Sequence, residues 1–516
     1  MTRAGAGALL AIALTAALAL RGARLAERPM HHDEANQAIK FGELLERGDY
    51  RYDYHDHHGP TLYYLTLPFA WLGGRHTLAS LDEVTLRRVP VVFGAATLLL
   101  LPLLSIGIGR TASLVGAVLM ALSPAMVFYS RMFIQETLFA CFTLAFVVAV
   151  GRMSTGGGRA WWIVAGAAAG LAIATKETSV IVLPAAILAA MAAWWSRGSG
   201  RPRNALTEDR WRAHALMSLV LAAAIAALFY TSFLAAPLAI LEPFRGAGTY
   251  LARGVEASAH AHPWHYYLRL LTYTASGGLR WSEGLVVVLA AAGAAAGWRR
   301  SDPSRPDTTF WTRYLACDVA IAAAIFSLIP YKTPWNLLPF YVVAFALAGV
   351  GFTTLIEMAR SRALRGVLVG AFAVGSCQLG WQAWRAAVLY AADPRNPYVY
   401  AQTVPDAVRM ATRILDLSRL HADGARMQVS VVAPPDEQWP LPWYLRSMSN
   451  VGYWTQPGDA VALQAPVIVS SLEHTPALDS ALGERYVSEF YGLRPDVLQA
   501  LYIERGLWDR FLAQAK

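Results

Sequence analysis

The sequence predicts an α-helical polytopic membrane protein with a small α/β domain at its C-terminal end. Three observations lead there. Hydrophobic residues make up 56% of the chain and charged ones only 15%, against roughly half and a quarter in soluble proteins. Arginines collect in alternate connections between the hydrophobic runs. After about residue 388 the long runs give way to short alternating or amphipathic segments. A mean hydropathy of +0.36 points the same way.

About eleven runs approach the length needed to cross about 30 Å of hydrocarbon. They cover residues 4–20, 89–108, 113–129, 134–150, 161–174, 179–195, 213–234, 284–298, 314–330, 335–353 and 366–384. One set of connections carries Arg110; Arg152 and Arg159; Arg197, Arg201, Arg203, Arg210 and Arg212; Arg299, Arg300, Arg305 and Arg313; and Arg360, Arg362 and Arg365. Positive charge in short connections stays in the cytoplasm, so these face inward and the N-terminus with Arg3 joins them. The first run reads as an uncleaved anchor rather than a signal peptide, because no small-x-small cleavage site precedes Arg21. Segments 22–88 and 242–283, and the tail 389–516, then face outward at a multi-pass cell membrane. A membrane domain thus spans 1–388 and an extracytoplasmic domain 389–516. The net charge of +9 is spread between runs rather than along one face, which excludes a nucleic-acid partner. Cys141, Cys317 and Cys377 each fall inside a hydrophobic run. They read as small buried residues, with neither a disulfide framework nor a zinc spacing.

In the tail, "MQVSVV" and "APVIVSS" read as strands. "TVPDAVRMATRILDL" and "PDVLQALYIERGLWDRFL" have helical period and start signals.

Acids and histidines concentrate in the first outward segment. "DEANQAIKFGELLERG" reads as an amphipathic helix on the membrane surface, with Ala35, Ala38, Ile39, Gly42 and Leu45 on its apolar face. Asp33 stands at its start, either as an N-cap or as a reactive group. In "YHDHHGPTLYY", Gly59-Pro60 opens a second short helix with Pro60 in its first position. Both clusters therefore sit at helix N-termini, which favour anions and phosphate. "SRMFIQETLF" brings Arg131 and Glu136 to the outer start of a span, where a carboxylate is costly unless paired or used. Lys176 in "ATKETS" and Lys332 in "PYKTPWN" reach the same level, as site cations or as snorkelling side chains. His31, His32, His55, His57 and His58 with Asp33 and Asp56 offer weak ligands for a divalent metal ion, although adjacent histidines are not a metal spacing. Hydrogen bonding to a phosphate or a sugar hydroxyl is the alternative. In "HPWHYYL", His262, Trp264, His265 and Tyr267 form either an aromatic wall for a sugar or isoprenoid, or an interfacial belt. Trp439, Trp443 and Tyr444 either stack on glycan or pack the tail.

The order of these elements resembles the GT-C glycosyltransferases over residues 1 to about 390. Within them it is similar to family 39, the protein-O-mannosyltransferase and aminoarabinose-transferase branch. "HHDEA", "HGPTLYYL", "TKET", "HPWHYYL" and "YKTPWN" resemble its Agl23-like, flippase-activity-associated subgroup. The resemblance implies a GT-C fold and a hexosyl- or pentosyl-transferase acting at the outer face. The donor it implies is a sugar on a polyprenyl phosphate; the acceptor is a glycan, lipid or protein. It implies that Asp33 is the catalytic carboxylate, Glu34 a supporting group and Glu136 a second acid that positions the acceptor. His55, His57, His58, Arg131, Lys176, Lys332, His262 and Tyr267 are the candidates for contacting phosphate or substrate. A lone base facing a phosphate leaving group implies inversion at the anomeric carbon. The tail resembles no enzyme domain.

Two other functions fit the same composition. A transporter or flippase for lipid-linked sugars needs polar groups at mid-membrane, whereas the polar groups here gather at the outer ends of spans. A non-catalytic envelope-assembly protein needs neither Asp33 nor Glu136.

Overall fold

The computed structural model describes residues 2–48, 50–54, 58–196, 211–245, 260–299, 306–458 and 462–514. His55, Asp56 and His57 lie outside the described residues, as do Arg197, Arg201, Arg203, Arg210, Arg300 and Arg305.

Among the described residues, seven helices are long and apolar enough to cross a membrane. They include α1 (Arg3–Gly22), α4 (Glu83–Leu100) extended to Ile108, α6 (Glu136–Ser154), α9 (Trp211–Tyr230) and α11, whose apolar stretch is Asp307–Leu328. The others are Pro334–Met358, which contains α12 (Leu338–Met358), and Arg362–Leu389, which contains α13 (Arg362–Trp384). Four shorter apolar helices join them: α5 (Arg110–Leu122), α7 (Arg159–Ile173), α8 (Ser179–Trp195) and α10 (Gly284–Arg299). Glycine allows close approach within the bundle. A Cβ at Gly293 of α10 would strike the Leu347 carbonyl, and one at Gly351 of α12 the Leu289 carbonyl. Without a hydrophobic drive in lipid, such backbone approach is what packs helices.

Several runs differ from the expected bounds, among them 314–330, whose helix already starts at Pro306. The 113–129 run is broken: α5 stops at Leu122, and a short helix Pro124–Tyr129 restarts at the Ser123 cap. Pro124 has no N–H to continue the ladder. The chain enters α4 well before Val89, because the Asp82 carboxylate caps it by accepting from Thr85 N–H at 2.7 Å. Cys141 is buried and Cys317 partly so, but Cys377 on α13 is exposed, so it faces out of the bundle.

The first connection folds back onto the protein. Helix α2 (His32–Arg47) is capped by His31, not Asp33: the His31 ring accepts from Asp33 N–H, and Glu34 accepts from His31 N–H. Ala35, Ala38, Phe41, Gly42 and Leu44 are buried while Ile39 and Leu45 are only partly so. The helix therefore packs into the protein, against α3 (Thr61–Leu72) and the tail, rather than lying on a lipid surface. Pro60 is the N-cap of α3 rather than its first residue.

The tail starts with a strap, residues 396–404, laid onto the bundle. Asn396 donates to the Ala386 and Tyr390 carbonyls, and Tyr398 donates to Glu283 at 2.7 Å. Beyond it lie α14 (Pro405–Leu420) and a five-stranded sheet of order β4-β3-β5-β7-β6. Its strands are β3 (Val429–Val432), β4 (Val451–Trp454), β5 (Val467–Ser471), β6 (Tyr486–Arg494) and β7 (Val497–Glu504), the numbering counting a small hairpin, β1 (Thr274–Ser276) and β2 (Leu279–Trp281). β3 pairs in parallel with β4 and β5, and β7 runs antiparallel to β5 and β6. "PDVLQALYIE" thus forms a strand where its period suggested a helix; only α15 (Arg505–Gln514) is helical. Pairing on both edges and burial of Leu501 and Ile503 in the sheet core override the local preference.

Three side chains dock the tail on the first connection. Tyr444 accepts from Met30 N–H at 2.8 Å, Trp443 donates to Glu83 at 2.8 Å, and Arg446 donates to the Leu81 carbonyl at 2.6 Å. Trp439 sits 5.7 Å from the His32 ring. These aromatics join two parts of the chain rather than packing the tail alone.

Candidate functional site

The neighbouring acids Asp33 and Glu34 have opposite surroundings. Successive helical residues point about 100° apart, so one faces inward while the other faces the opening. Glu34 is fully buried. It accepts from Arg87 Nε at 2.8 Å, from Arg28 at 3.2 Å and from the Phe133 N–H at 2.9 Å. Burial alone would raise its pKa, but the charges of Arg28 and Arg87 and these hydrogen bonds bring it down to about 2. It is a charged hub that ties α2, α4 and the segment before α6 together. The Asp33 side chain is 43% exposed, 3.8 Å from the His31 ring. Its charge also reaches His260, whose pKa burial lowers and Asp33 partly restores.

His31 holds this arrangement. Its Nδ1 accepts from Asp33 N–H at 3.0 Å, so the proton is on Nε2, which donates to the Tyr400 carbonyl at 2.9 Å. Both nitrogens are committed to the protein, and neither is left for a metal. Among the described residues, no three His, Cys, Asp or Glu side chains gather as a metal-binding set.

Two motifs that are separate in sequence form one unit. Gly59 N–H donates to the Thr175 carbonyl at 3.1 Å and Thr61 N–H to the Ala174 carbonyl at 3.3 Å. A Cβ at Gly59 would strike that Ala174 carbonyl, so glycine is required for the docking. The contact brings His58 to 2.9 Å from Glu177. Beside it, Lys176 donates to Glu136 at 2.7 Å and to Asn336 at 2.9 Å. Glu136 therefore pairs with Lys176, not Arg131.

"YKTPWN" is the corner where the first connection, the strap and the bundle meet. Trp335 lies 5.7 Å from the His31 ring, 6.2 Å from Tyr129 and 5.8 Å from Tyr400. The next residue, Asn336, meets Lys176 and stands beside the Tyr267 hydroxyl. Lys332 is buried and donates to the His262 and Ile329 carbonyls. It acts as a clip between two connections, not as a snorkelling side chain. His262 stacks on Tyr266 at 4.3 Å. Glu136 Oε2, His262 Nε2 and Thr333 Oγ1 are buried without a hydrogen-bond partner among the described residues. Such atoms are costly to leave unpaired.

The structure thus brings Asp33, His31, His262, Tyr267, Lys332, Glu136, Lys176 and His58 to one end of the bundle. Arg131 is turned away: it donates to the Leu20 and Arg21 carbonyls and caps α1. Burial and the charges of Arg28 and Arg87 lower its pKa to about 9. His32 faces the tail. Trp335, Asn336, Tyr400 and His260 also stand here and were not among the residues expected from the sequence. Asn336 carried one available signal, a polar residue at the start of an apolar run. Tyr400 carried none, since its place depends on the strap.

The His58–Glu177 pair sets a pH window. Burial lowers the pKa of His58, but the charge and hydrogen bond of Glu177 outweigh it and raise it above 6.5. Burial raises the pKa of Glu177, and His58 overcomes this and lowers it below 4.5. The histidine contribution is complete below pH 6.5 and is lost as pH rises through its elevated folded value. The glutamate contribution is complete above pH 4.5 and is lost as pH falls. The melting-temperature difference between wild type and Glu177→Gln should therefore peak between pH 4.5 and 6.5 and shrink towards alkaline pH.

Comparison with known proteins adds the fold. A family model described as dolichyl-phosphate-mannose-protein mannosyltransferase matches residues 66–206. No curated protein matches the chain in sequence. Among solved structures, ArnT from Cupriavidus metallidurans bound to undecaprenyl phosphate superposes with a TM-score of 0.65 at 15% identity, over 98% of this chain and 99% of that one. The oligosaccharyltransferase AglB from Archaeoglobus fulgidus, in complex with an inhibitory peptide and a dolichol-phosphate, gives 0.59 at 12% identity, over 97% and 74%. The mycobacterial arabinofuranosyltransferase AftD gives 0.50 at 13%, over 98% and 40%. The chain therefore has the polytopic GT-C glycosyltransferase fold.

Proposed function

We propose that the protein is a membrane glycosyltransferase that moves a sugar from a polyprenyl-phosphate carrier to an acceptor hydroxyl at the outer face of the cell membrane. The observation that carries this reading is the partly exposed Asp33 carboxylate 3.8 Å from the His31 ring, which itself lies 5.7 Å from Trp335. Asp33 accepts the acceptor's hydroxyl proton while that oxygen attacks the anomeric carbon. The bond from that carbon to the phosphate oxygen breaks, and the electron pair leaves with the phosphate. Lys176, Lys332 and His58 are the cations on that side, and a single displacement inverts the anomeric centre. Glu136, held by Lys176, offers Oε2 to the acceptor. The likeness to ArnT and AglB, solved with prenyl phosphates, supports such a donor. The motif likeness to family 39 and its Agl23-like subgroup belongs to this proposal, as do the crossing of all about eleven helices and the outward-facing tail.

One observation favours translocation instead. Asp318 is buried midway along α11 (Pro306–Leu328), and a mid-membrane carboxyl is the mark of a substrate path. Isolated membranes supplied with labelled polyprenyl-phosphate sugars separate the two. Label should reach an acceptor, and Asp318→Asn should leave the sidedness of the lipid-linked sugar unchanged. Absence of transfer from every donor, with altered sidedness, decides for a flippase.

A further inference from the structure

We infer that the strap, residues 396–404, is a positioning element of the site: through Tyr400 and Gln402 it fixes how His31 presents the Asp33 carboxylate. This rests on the transferase reading and gives the tail a part in the reaction.

Three successive residues just before α2 are each held by the tail. The Pro29 carbonyl accepts from Gln402 at 3.0 Å, Met30 N–H donates to Tyr444 at 2.8 Å, and His31 Nε2–H donates to the Tyr400 carbonyl at 2.9 Å. Met30, His31 and Gln402 are buried, so these bonds are made away from water and are costly to break. Asp33 follows in the first turn of α2. The entry to the helix that carries the base is thus set from the tail.

The strap is itself anchored at both ends. Tyr398 donates to the buried Glu283 at 2.7 Å, and its carbonyl accepts from Tyr129 at 2.9 Å. Val404 N–H donates to the Leu493 carbonyl of β6 at 3.1 Å. Between these anchors Ala401 has a φ of 46°, a left-handed conformation that residues with a Cβ rarely adopt. Tyr400 and Gln402 on either side of it make the two contacts with the first connection. Backbone strain of this kind persists only where the surroundings over-determine it.

His31 passes the constraint on. With its Nε2–H given to the Tyr400 carbonyl, Nδ1 carries no proton. It accepts from Asp33 N–H at 3.0 Å and stands 3.8 Å from Asp33 Oδ2. A displaced strap would release the other tautomer. Its Nδ1–H would turn a donor on the Asp33 carboxylate and deprive the Asp33 N–H of its acceptor. A hydrogen bond to the charged form makes a carboxylate a weaker proton acceptor, the opposite of what a general base needs. Tyr400 also meets the far side of the site, with its hydroxyl bonded to His260 and its ring 5.8 Å from Trp335.

The test compares His31→Asn, Gln402→Leu and Trp443→Phe in the full-length protein in lipid nanodiscs. Asparagine is among the best N-cap residues, so His31→Asn keeps an acceptor for the Asp33 N–H, but its side chain is too short to reach the Tyr400 carbonyl as well. Gln402→Leu keeps bulk and loses the donor to Pro29. Trp443→Phe loses only the N–H given to Glu83, so it weakens the docking of the tail away from residues 29–31. With a labelled polyprenyl-phosphate sugar, kcat should fall by about 10- to 100-fold in His31→Asn and in Gln402→Leu, the effect of a small misplacement of a reacting group. KM should be unchanged, in protein still folded at the assay temperature, and Trp443→Phe should keep the wild-type kcat. Hydrogen exchange at the Asp33 amide should be faster in Gln402→Leu than in the wild type and unchanged in Trp443→Phe. Wild-type kcat in His31→Asn reduces His31 to a cap and overturns the assignment. An equal loss of kcat in Trp443→Phe, or exchange at Asp33 that Gln402→Leu leaves unchanged, overturns it too. Should Gln402→Leu fail to fold, His31→Asn decides. If the wild type transfers no sugar from any donor, the transferase reading falls alone, and the exchange rates still decide whether the strap sets the entry to α2.

Discussion

Asp33→Asn should lower sugar transfer by about 10²–10⁴-fold, the usual contribution of a positioned general base, while leaving the protein folded. The amide has nearly the shape of the carboxylate but cannot take the acceptor proton at neutral pH. The fold should survive because Asp33 does not cap α2. That cap is the reciprocal pair of His31 and Glu34, and the Asp33 side chain is 43% exposed. The loss of one negative charge near a helix N-terminus costs about 0.3–1 kcal/mol. Initial rates with a labelled polyprenyl-phosphate sugar, paired with melting curves, check both halves. Wild-type rates in the variant would remove Asp33 from the mechanism and leave Glu136, whose Oε2 has no hydrogen-bond partner among the described residues, as the next acid to replace.

Glu34→Gln, one residue further on, should fail in the opposite way, by unfolding rather than by losing a proton acceptor. Glu34 is the counter-charge of two buried guanidiniums, Arg28 and Arg87. Removing one partner of a buried ion pair leaves uncompensated charge and costs about 3–5 kcal/mol, a large share of the 5–15 kcal/mol that holds a typical domain. The glutamine also turns an N–H₂ group towards donors that need acceptors. The expected result is a marked drop in melting temperature and in membrane yield at pH 7. The wild type should melt at a nearly constant temperature above pH 4.5 as far as this group is concerned. Its Glu34 contribution is present there and is lost only as pH falls towards about 2. A stable, inactive Glu34→Gln would mean that Glu34 acts in the chemistry and not as the hub.

Much of this was legible in the chain. All the hydrophobic runs but 113–129 fall on single apolar helices because hydropathy adds up locally, and a run long enough to cross hydrocarbon is visible without knowing its neighbours. "HHDEA", "HGPT", "TKET" and "YKTPWN" were visible as polar breaks in an apolar sequence, and in the structure they converge at one end of the bundle. Two strands and α14 of the tail were readable from period alone.

What the sequence left open was partner choice. Arg131 stands close to Glu136 in the chain yet caps α1, while Glu136 takes Lys176, 40 residues away, which in turn meets Asn336 across 160 residues. Asp33 and Glu34 look equivalent as letters, and only burial separates the charged hub from the accessible base. β7 became a strand because β5 and β6 were there to pair with it. The physical reason is the same throughout. Hydrophobicity and period are properties of a segment, so the sequence by itself determined which parts are apolar helices and where the polar clusters fall. The pairing of a buried polar group depends on which backbones approach, as Gly59 does against Ala174, and that only the tertiary structure decided.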